Sequence, residues 1–237
     1  MPIIKGAASF PTSTTLGMLD GDQYQAGGVL KFSATNVFYR QIRNIIFDTT
    51  DIPGKAVAIH WPSSQATSIQ NCIFHLSQRA GDTHTGLFIE EGSGGFLNDL
   101  IFYGGQYGAQ LGNQQYTMRN LSFIGSKVGI QQLWDWGWTY KSLKFQNCGV
   151  GIDMSTTDVG SVTLIDSTFT QVNRALIVAR RPPAANAGRG SIVIEGNKYV
   201  QVPVLMAYND GTVVLAGSLT KTIDGPGWIR VSLSFLY

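Results

Sequence analysis

Charge is scarce in this chain. Only 14% of its 237 residues are Asp, Glu, Lys or Arg, and 17 basic against 15 acidic side chains leave a net charge of +2. That balance, with no Lys/Arg run, removes the electrostatic case for a nucleic-acid partner. Cysteine is scarcer still. Cys72 and Cys148 stand alone, and without a CxxC there is no thiol-redox motif or structural zinc site. Both follow an Asn in strand-like text, "QNCIF" and "QNCGV", and are expected as buried free thiols, with a single disulfide as the alternative. No apolar run is long enough to cross a membrane, so no membrane partner is expected. "MPIIKGAASF" lacks the basic start and apolar core of a secretory signal, so the chain as it stands reads as cytoplasmic. Phosphate loop, nucleotide motif and G-x-S-x-G elbow are all missing, and His60, His75 and His84 lack metal-ligand spacing. Neither a metal nor a cofactor is expected.

Regular helical segments are also absent, which argues against βαβ units. What fills the chain is repetition. "RQIRNIIFDTT", "TSIQNCIFHLS", "GFLNDLIFYGG", "YTMRNLSFIGS" and "WTYKSLKFQNC" share one pattern, and "VTLIDSTFTQV" and "IVIEGNKYVQV" follow it loosely. Their aromatics are Phe47, Phe74, Phe102, Phe123, Phe145, Phe169 and Tyr199, spaced by 27, 28, 21, 22, 24 and 30 residues. Each unit is too short to bury its own apolar face, so stacked units must share one. Alternating polarity bounded by Gly, Asn and Ser reads as strand and turn. A second column, Ala109, Ile130, Ile152, Leu176 and Met206, falls seven residues after the aromatics, and "AVAIHW" and "TGLFIEE" supply it earlier.

These observations predict an all-β fold, a single-stranded, right-handed parallel β-helix of about seven or more coils, as one domain over residues 1–237. The Phe column is expected inside, each ring contributing roughly 1.5–3 kcal/mol of transfer free energy. Asn44, Asn71 and Asn120, with Asp99 and Ser142 in equivalent places, are expected to stabilise tight bends. The terminal coils are irregular, and an open solenoid end exposes strand edges. Either the termini fold back as caps or a partner covers an end, as a homo-oligomer or an end-capping chain. "RRPPAANAGRG" marks a long loop over 180–190, where two prolines exclude a regular strand.

The polar text between strands holds the candidate site. "HWPSSQATS", "EEGSGG", "LGNQQYT" and "QQLWDWGW" occupy matching places in successive coils, which lines up Gln65, Ser93, Gln114 and Trp136. Gln115 and Gln131 lie close by. Glu90 extends an apolar strand, and its neighbour Glu91 must point the other way. Asp135 sits between tryptophans, where desolvation raises a carboxyl pKa. A Glu90/Asp135 pair at the right separation could run glycoside hydrolysis, and solvated or hydrogen-bonded carboxylates are the structural alternative. His60 is a candidate for proton transfer or substrate binding, and equally a hydrogen-bonded structural residue. Trp134, Trp136 and Trp138 fall on one side if their segment is extended, and three roles stay open for them: ligand lining, packing and a chain interface.

"IIKGAASF", "RQIRNIIFDTT", "HWPSSQATSIQN", "GLFIEEGSGGFLNDL", "GNQQYTMRNLSF" and "WDWGWTYKSL" closely resemble the fungal glycoside hydrolase family 55 glucan exo-1,3-β-glucosidases, of the wider pectate-lyase-like β-helix superfamily. The resemblance weakens after about Gly160. It implies a β-helix and a β-glucan ligand. Members carry two β-helical domains and are typically secreted, and this chain resembles the later part of the first. It also implies that the catalytic acid belongs to the second domain, and that Gln65 and Ser93 match positions lining the sugar pocket, with Gln114 and Gln115 close by. Pro62 stands where the family's "HW" motif continues with Gln, which weakens the inheritance of hydrolysis. Three functions follow: a carbohydrate-active relative binding or acting on β-1,3-glucan; a cofactor-independent enzyme of cyclase, isomerase or lyase type acting on a neutral small molecule; or a non-catalytic interaction protein.

Overall fold

A computed structural model describes residues 1–156, 158–179, 191–225 and 228–232. The segment 180–190, expected as a loop, lies outside the described residues. Twenty described strands join in one hydrogen-bonded network, and the helical content among them is one 3-10 turn at Ala34–Asn36.

The aromatic column is in register. Phe47 pairs with Phe74, Phe74 with Phe102, and the sequence continues through Phe123, Phe145, Phe169 and Tyr199, all in parallel strands. Seven rungs are thus separated by six turns of a β-solenoid. Successive ring centroids lie 5.5, 4.4, 4.8, 5.0, 4.7 and 5.2 Å apart. The cause is geometric: parallel strands repeat at about 4.8 Å, which matches the stacking distance of aromatic rings. All seven are buried. The second column is likewise in register from Ile59 and Leu87 through Ala109, Ile130, Ile152 and Leu176 to Met206, each 0% exposed.

Three residues before each ring the chain bends. Asn44, Asn71, Asp99, Asn120, Ser142, Asp166 and Gly196 all take a left-handed backbone, with φ between 50° and 62°. Asn and Asp tolerate that region better than other side chains. Beyond the local turn, these residues bond from coil to coil: Asn71 Nδ2 donates to Asn44 Oδ1 at 2.7 Å and Asn120 Nδ2 to Asp99 Oδ1 at 2.6 Å.

The glycine stripe Gly86, Gly108, Gly129 and Gly151 faces the rings. A Cβ on Gly86 would come within 2.7 Å of Phe102, one on Gly129 within 2.6 Å of Phe145, and Gly108 is tighter still against Phe123. The ring edges therefore occupy the volume that side chains would fill.

The two ends differ. Ile3–Lys5 pairs in parallel with Ile46–Asp48 and leaves Ile3 and Ile4 exposed. At the other end the chain folds back. Val213–Asp224 runs antiparallel to Lys198–Tyr208, and Trp228–Ser232 antiparallel to Ser191–Glu195. This is the fold-back cap, one of the two arrangements expected. Cys72 and Cys148 are buried free thiols, and burial pushes the Cys148 thiol up to about 11.

Candidate functional site

The expected row forms at one corner of the solenoid. Trp136 falls opposite Gln114, between the paired positions Asp135–Asn113 and Gly137–Gln115. Ser93 stands two residues before Gly95, as Gln114 stands before its partner Tyr116. Gln65 precedes Ser68 as Ser93 precedes Phe96, and those two are paired. Gln65, Gln115 and Trp136 are exposed, while Ser93 and Gln114 are half-buried. Ser93 is fixed by the hydroxyl of Ser64, to which its amide and Oγ both bond, at 3.2 and 3.1 Å.

Beside the row lies a cavity of about 350 Å³ lined by Gly94, Gly95, Gln115, Tyr116, Thr117 and Thr139. Gly94 has φ 136°, a conformation open to glycine. A side chain on Gly95 would strike the Tyr116 hydroxyl beneath it. Burial pushes the Tyr116 phenol up to about 12, against the opposing pull of Thr67 and Trp61. The floor is bare backbone, rimmed by uncharged hydrogen-bonding groups.

The three tryptophans do not share one face. The pairing with the preceding coil runs unbroken from Trp134 to Trp138, but alternation fails between Asp135 and Trp138, where Asp135 and Trp138 are buried and Trp136 between them is exposed, the bend that "DWG" permits. Trp134 is half-buried, stands over Gly112, and donates its indole N–H to the Glu90 carbonyl at 2.7 Å. Trp136 is 69% exposed. Trp138, a candidate for ligand lining, takes the packing role instead: it is buried in the core and stacks on Tyr116 at 5.0 Å. Asp135, expected as a catalytic carboxylate, is turned inward. It is 2% exposed and accepts the backbone amides of Gly160 at 3.2 Å and Ser161 at 2.8 Å, tying one coil to the next. Gln131 lies in a separate ladder, accepting from Gln110, which itself accepts from Thr85.

Glu90 and His60 do come together, with two residues the sequence reading missed. The short strand Leu19–Asp20 pairs with Ile59–His60, placing Asp20 beside His60. His60 Nδ1 lies 2.8 Å from Asp20 Oδ1, and Nε2 lies 2.5 Å from Glu90 Oε1. An ionised carboxylate only accepts, so with carboxylates on both sides the imidazolium, which donates from both ring nitrogens, is the form this geometry favours. Burial works to lower its pKa, but the Glu90 and Asp20 carboxylates outweigh burial and raise it. For Glu90 burial works upward, and its bonds to His60 and Tyr24 bring the net shift down. Tyr24 and Phe88 stack on the imidazolium at 5.8 and 5.4 Å, a cation–π arrangement. Burial and the adjacent Glu90 carboxylate raise the Tyr24 phenol, which stays protonated. A cavity of about 420 Å³ opens here, between the hydroxyls of Thr12 to Thr15 and the side chains of Asp20 and Tyr24. Asp20 and Tyr24 lie ahead of the first repeat, so no periodic signal marked them.

Among the described residues, no group of three His, Cys, Asp or Glu side chains is placed to hold a metal ion. No described helix is long and apolar enough to cross a membrane.

Comparison with known proteins adds a family. Residues 1–153 match the model of "Rhamnogalacturonase A/epimerase, pectate lyase-like". The chain is 39% identical over 236 residues to a glucan 1,3-beta-glucosidase of Cochliobolus carbonum, covering 96% of this chain and 30% of that protein. It is 34% identical over 237 residues to a probable glucan endo-1,3-beta-glucosidase of Arthroderma benhamiae, covering 96% and 27%. A "Non-secreted LysM effector LysM15" of Penicillium expansum is also 34% identical, over 98% of this chain and 17% of its own length. The chain thus spans less than a third of each of these relatives.

Proposed function

This chain belongs to the rhamnogalacturonase A/epimerase, pectate-lyase-like family, and we propose that it is a carbohydrate-active solenoid that binds β-1,3-glucan at the corner row. One observation carries the reading: Gln65, Ser93, Gln114 and the exposed Trp136 stand in register across four coils without a charge among them, with Gln115 beside Gln114. Neutral hydrogen-bonding groups beside an exposed indole suit a sugar's hydroxyls and its apolar C–H face. The similarity to two proteins named as glucanases supports the ligand class.

The carboxylates favour binding over hydrolysis. Glycoside hydrolysis needs a protonated carboxylic acid opposite a carboxylate. Glu90 is held ionised by His60, and Asp135 is buried on backbone amides. The test is to incubate the 237-residue protein with laminarin and follow both retention and released glucose. Retention without release is expected. Sustained release, lost in Glu90→Gln with the fold intact, would overturn the assignment of the carboxylates.

The Asp20–His60–Glu90 group favours a second reading, cofactor-independent acid–base chemistry on a neutral small molecule in the adjoining cavity. If laminarin is neither held nor cut, and small polyols raise the melting temperature of the wild type but not of Tyr24→Phe, this second reading replaces the first.

A further inference from the structure

The corner row continues past Gln65. Gln41 pairs with Ser68, and the Tyr39 amide donates to the Gln65 carbonyl at 3.4 Å. That register sets Tyr39 opposite Ala66 and Phe38 opposite Gln65. The row therefore begins with an aromatic pair, Phe38 and Tyr39, whose rings lie 6.3 Å apart and tilted. It ends at Trp136.

Tyr39 is a costly residue at this place. Its φ is 57°, and it is the one aromatic among the described non-glycine residues with positive φ. The left-handed region is strained for an ordinary L-residue, whose Cβ comes too close to the following carbonyl oxygen. A buried ring could recover that cost through packing, but Tyr39 is 83% exposed. Asn at this position would remove the strain and lose almost no burial. Trp136 repeats the pattern at the far end, a large ring left 69% exposed. Between the two, the row presents Gln65, Ser93, Gln114 and Gln115, and the cavity beside it the bare backbone of Gly94, Gly95 and Gly137.

Four strand spacings separate the coil of Phe38 from that of Trp136, a span of about 19 Å. That is the length of a tri- to tetrasaccharide. We propose that Tyr39 and Trp136 are the two terminal stacking residues of one platform, which takes a β-1,3-glucan segment of three to four glucosyl units laid along the solenoid axis. A ring packs on the sugar at each end, and the glutamines, Ser93 and the glycine floor serve the units between. This rests on the glucan reading above and adds the length, direction and first contact of the site.

The test is calorimetric titration with laminari-oligosaccharides from the disaccharide to the hexasaccharide. The proteins are the wild type, Tyr39→Asn, Tyr39→Phe and Trp136→Ala. Wild-type affinity should climb up to the tetrasaccharide and then level off. Tyr39→Asn should weaken the tetrasaccharide about three- to tenfold, the scale of one aromatic contact, and leave the disaccharide within about twofold. Trp136→Ala should show a loss of similar size, while Tyr39→Phe should keep wild-type affinity. Tyr39→Asn should also melt no lower than the wild type, which separates lost binding from lost folding. Affinity that levels off at the disaccharide, or a Tyr39→Asn protein that binds the tetrasaccharide normally, overturns the platform while leaving the glucan reading standing. A wild type that binds neither laminarin nor any oligosaccharide overturns both.

Discussion

The interior column and the corner row use the same device for opposite ends. Both line up side chains coil after coil at the strand spacing. In the column, Phe47 through Tyr199 stack in an unbroken line and are all buried. In the row, the residue type changes at each coil, from Phe38 through Gln65, Ser93 and Gln114 to Trp136, and the aromatic ends stay exposed. A rung that repeats in every coil holds the coils together. A row that keeps the register while varying its chemistry contributes little to stability and offers a surface to a ligand.

Substitution can sharpen that contrast, and the largest effect belongs to the column. Phe102→Ala should lower unfolding stability by about 3–5 kcal/mol, because it opens a cavity between two stacked rings. Urea unfolding reads this directly. A smaller loss is expected for Gly108→Ala, whose new methyl would press on Phe123. Overpacking of this kind costs about 1–3 kcal/mol. If Gly108→Ala were neutral, the glycine stripe would not be what lets the rings approach the opposite wall.

The Asp20–His60–Glu90 group responds to pH where the column does not. His60 has a raised folded pKa, so its contribution is complete below its unfolded value of about 6.5 and is lost as pH rises through the folded value. Glu90 has a lowered folded pKa, so its contribution is present above its unfolded value of about 4.3 and is lost as pH falls through the folded one. The tether on the segment around Asp20 should therefore be strongest between those limits. Hydrogen exchange of the Gly21 amide, bonded to the His60 carbonyl at 2.8 Å, should be slowest there and quicken on both sides, after correction for intrinsic rates. The Phe-strand amides should hold steady. His84, equally buried, behaves oppositely. It accepts the Ser77 amide and lies 2.8 Å from the Thr49 hydroxyl, and burial lowers its pKa, so its contribution weakens as pH falls below about 6.5.

The smallest effect on stability, within about 0.5 kcal/mol, is expected for Trp136→Ala, because that ring is mostly in water.

How much of this was legible in the sequence follows from periodicity. The Phe column, the Asn bends and the second apolar column recur in every coil, so spacing alone located them. The corner row was legible because Gln65, Ser93, Gln114 and Trp136 keep the coil register even where the residue type changes. The fate of the tryptophans was not. Alternation breaks between Asp135 and Trp138, at "DWG", and spacing alone does not say which ring the bend sends inward: Trp138 is buried and Trp136 exposed. Asp135 was read from the tryptophans beside it as a desolvated catalytic carboxyl, but it accepts backbone amides one coil further on. Asp20 and Tyr24 were out of reach for a different reason. They precede the repeats, and only the pairing of Leu19–Asp20 with Ile59–His60 carries them to His60.

The central claim is that the exposed corner binds glucan without carrying the fold. Its most direct test measures laminarin affinity and unfolding free energy on the same preparations of wild type and Trp136→Ala. Affinity reduced about three- to tenfold, with stability unchanged, is the predicted result. Unchanged affinity alongside a loss of several kcal/mol would contradict it, and would make Trp136 one more packing residue.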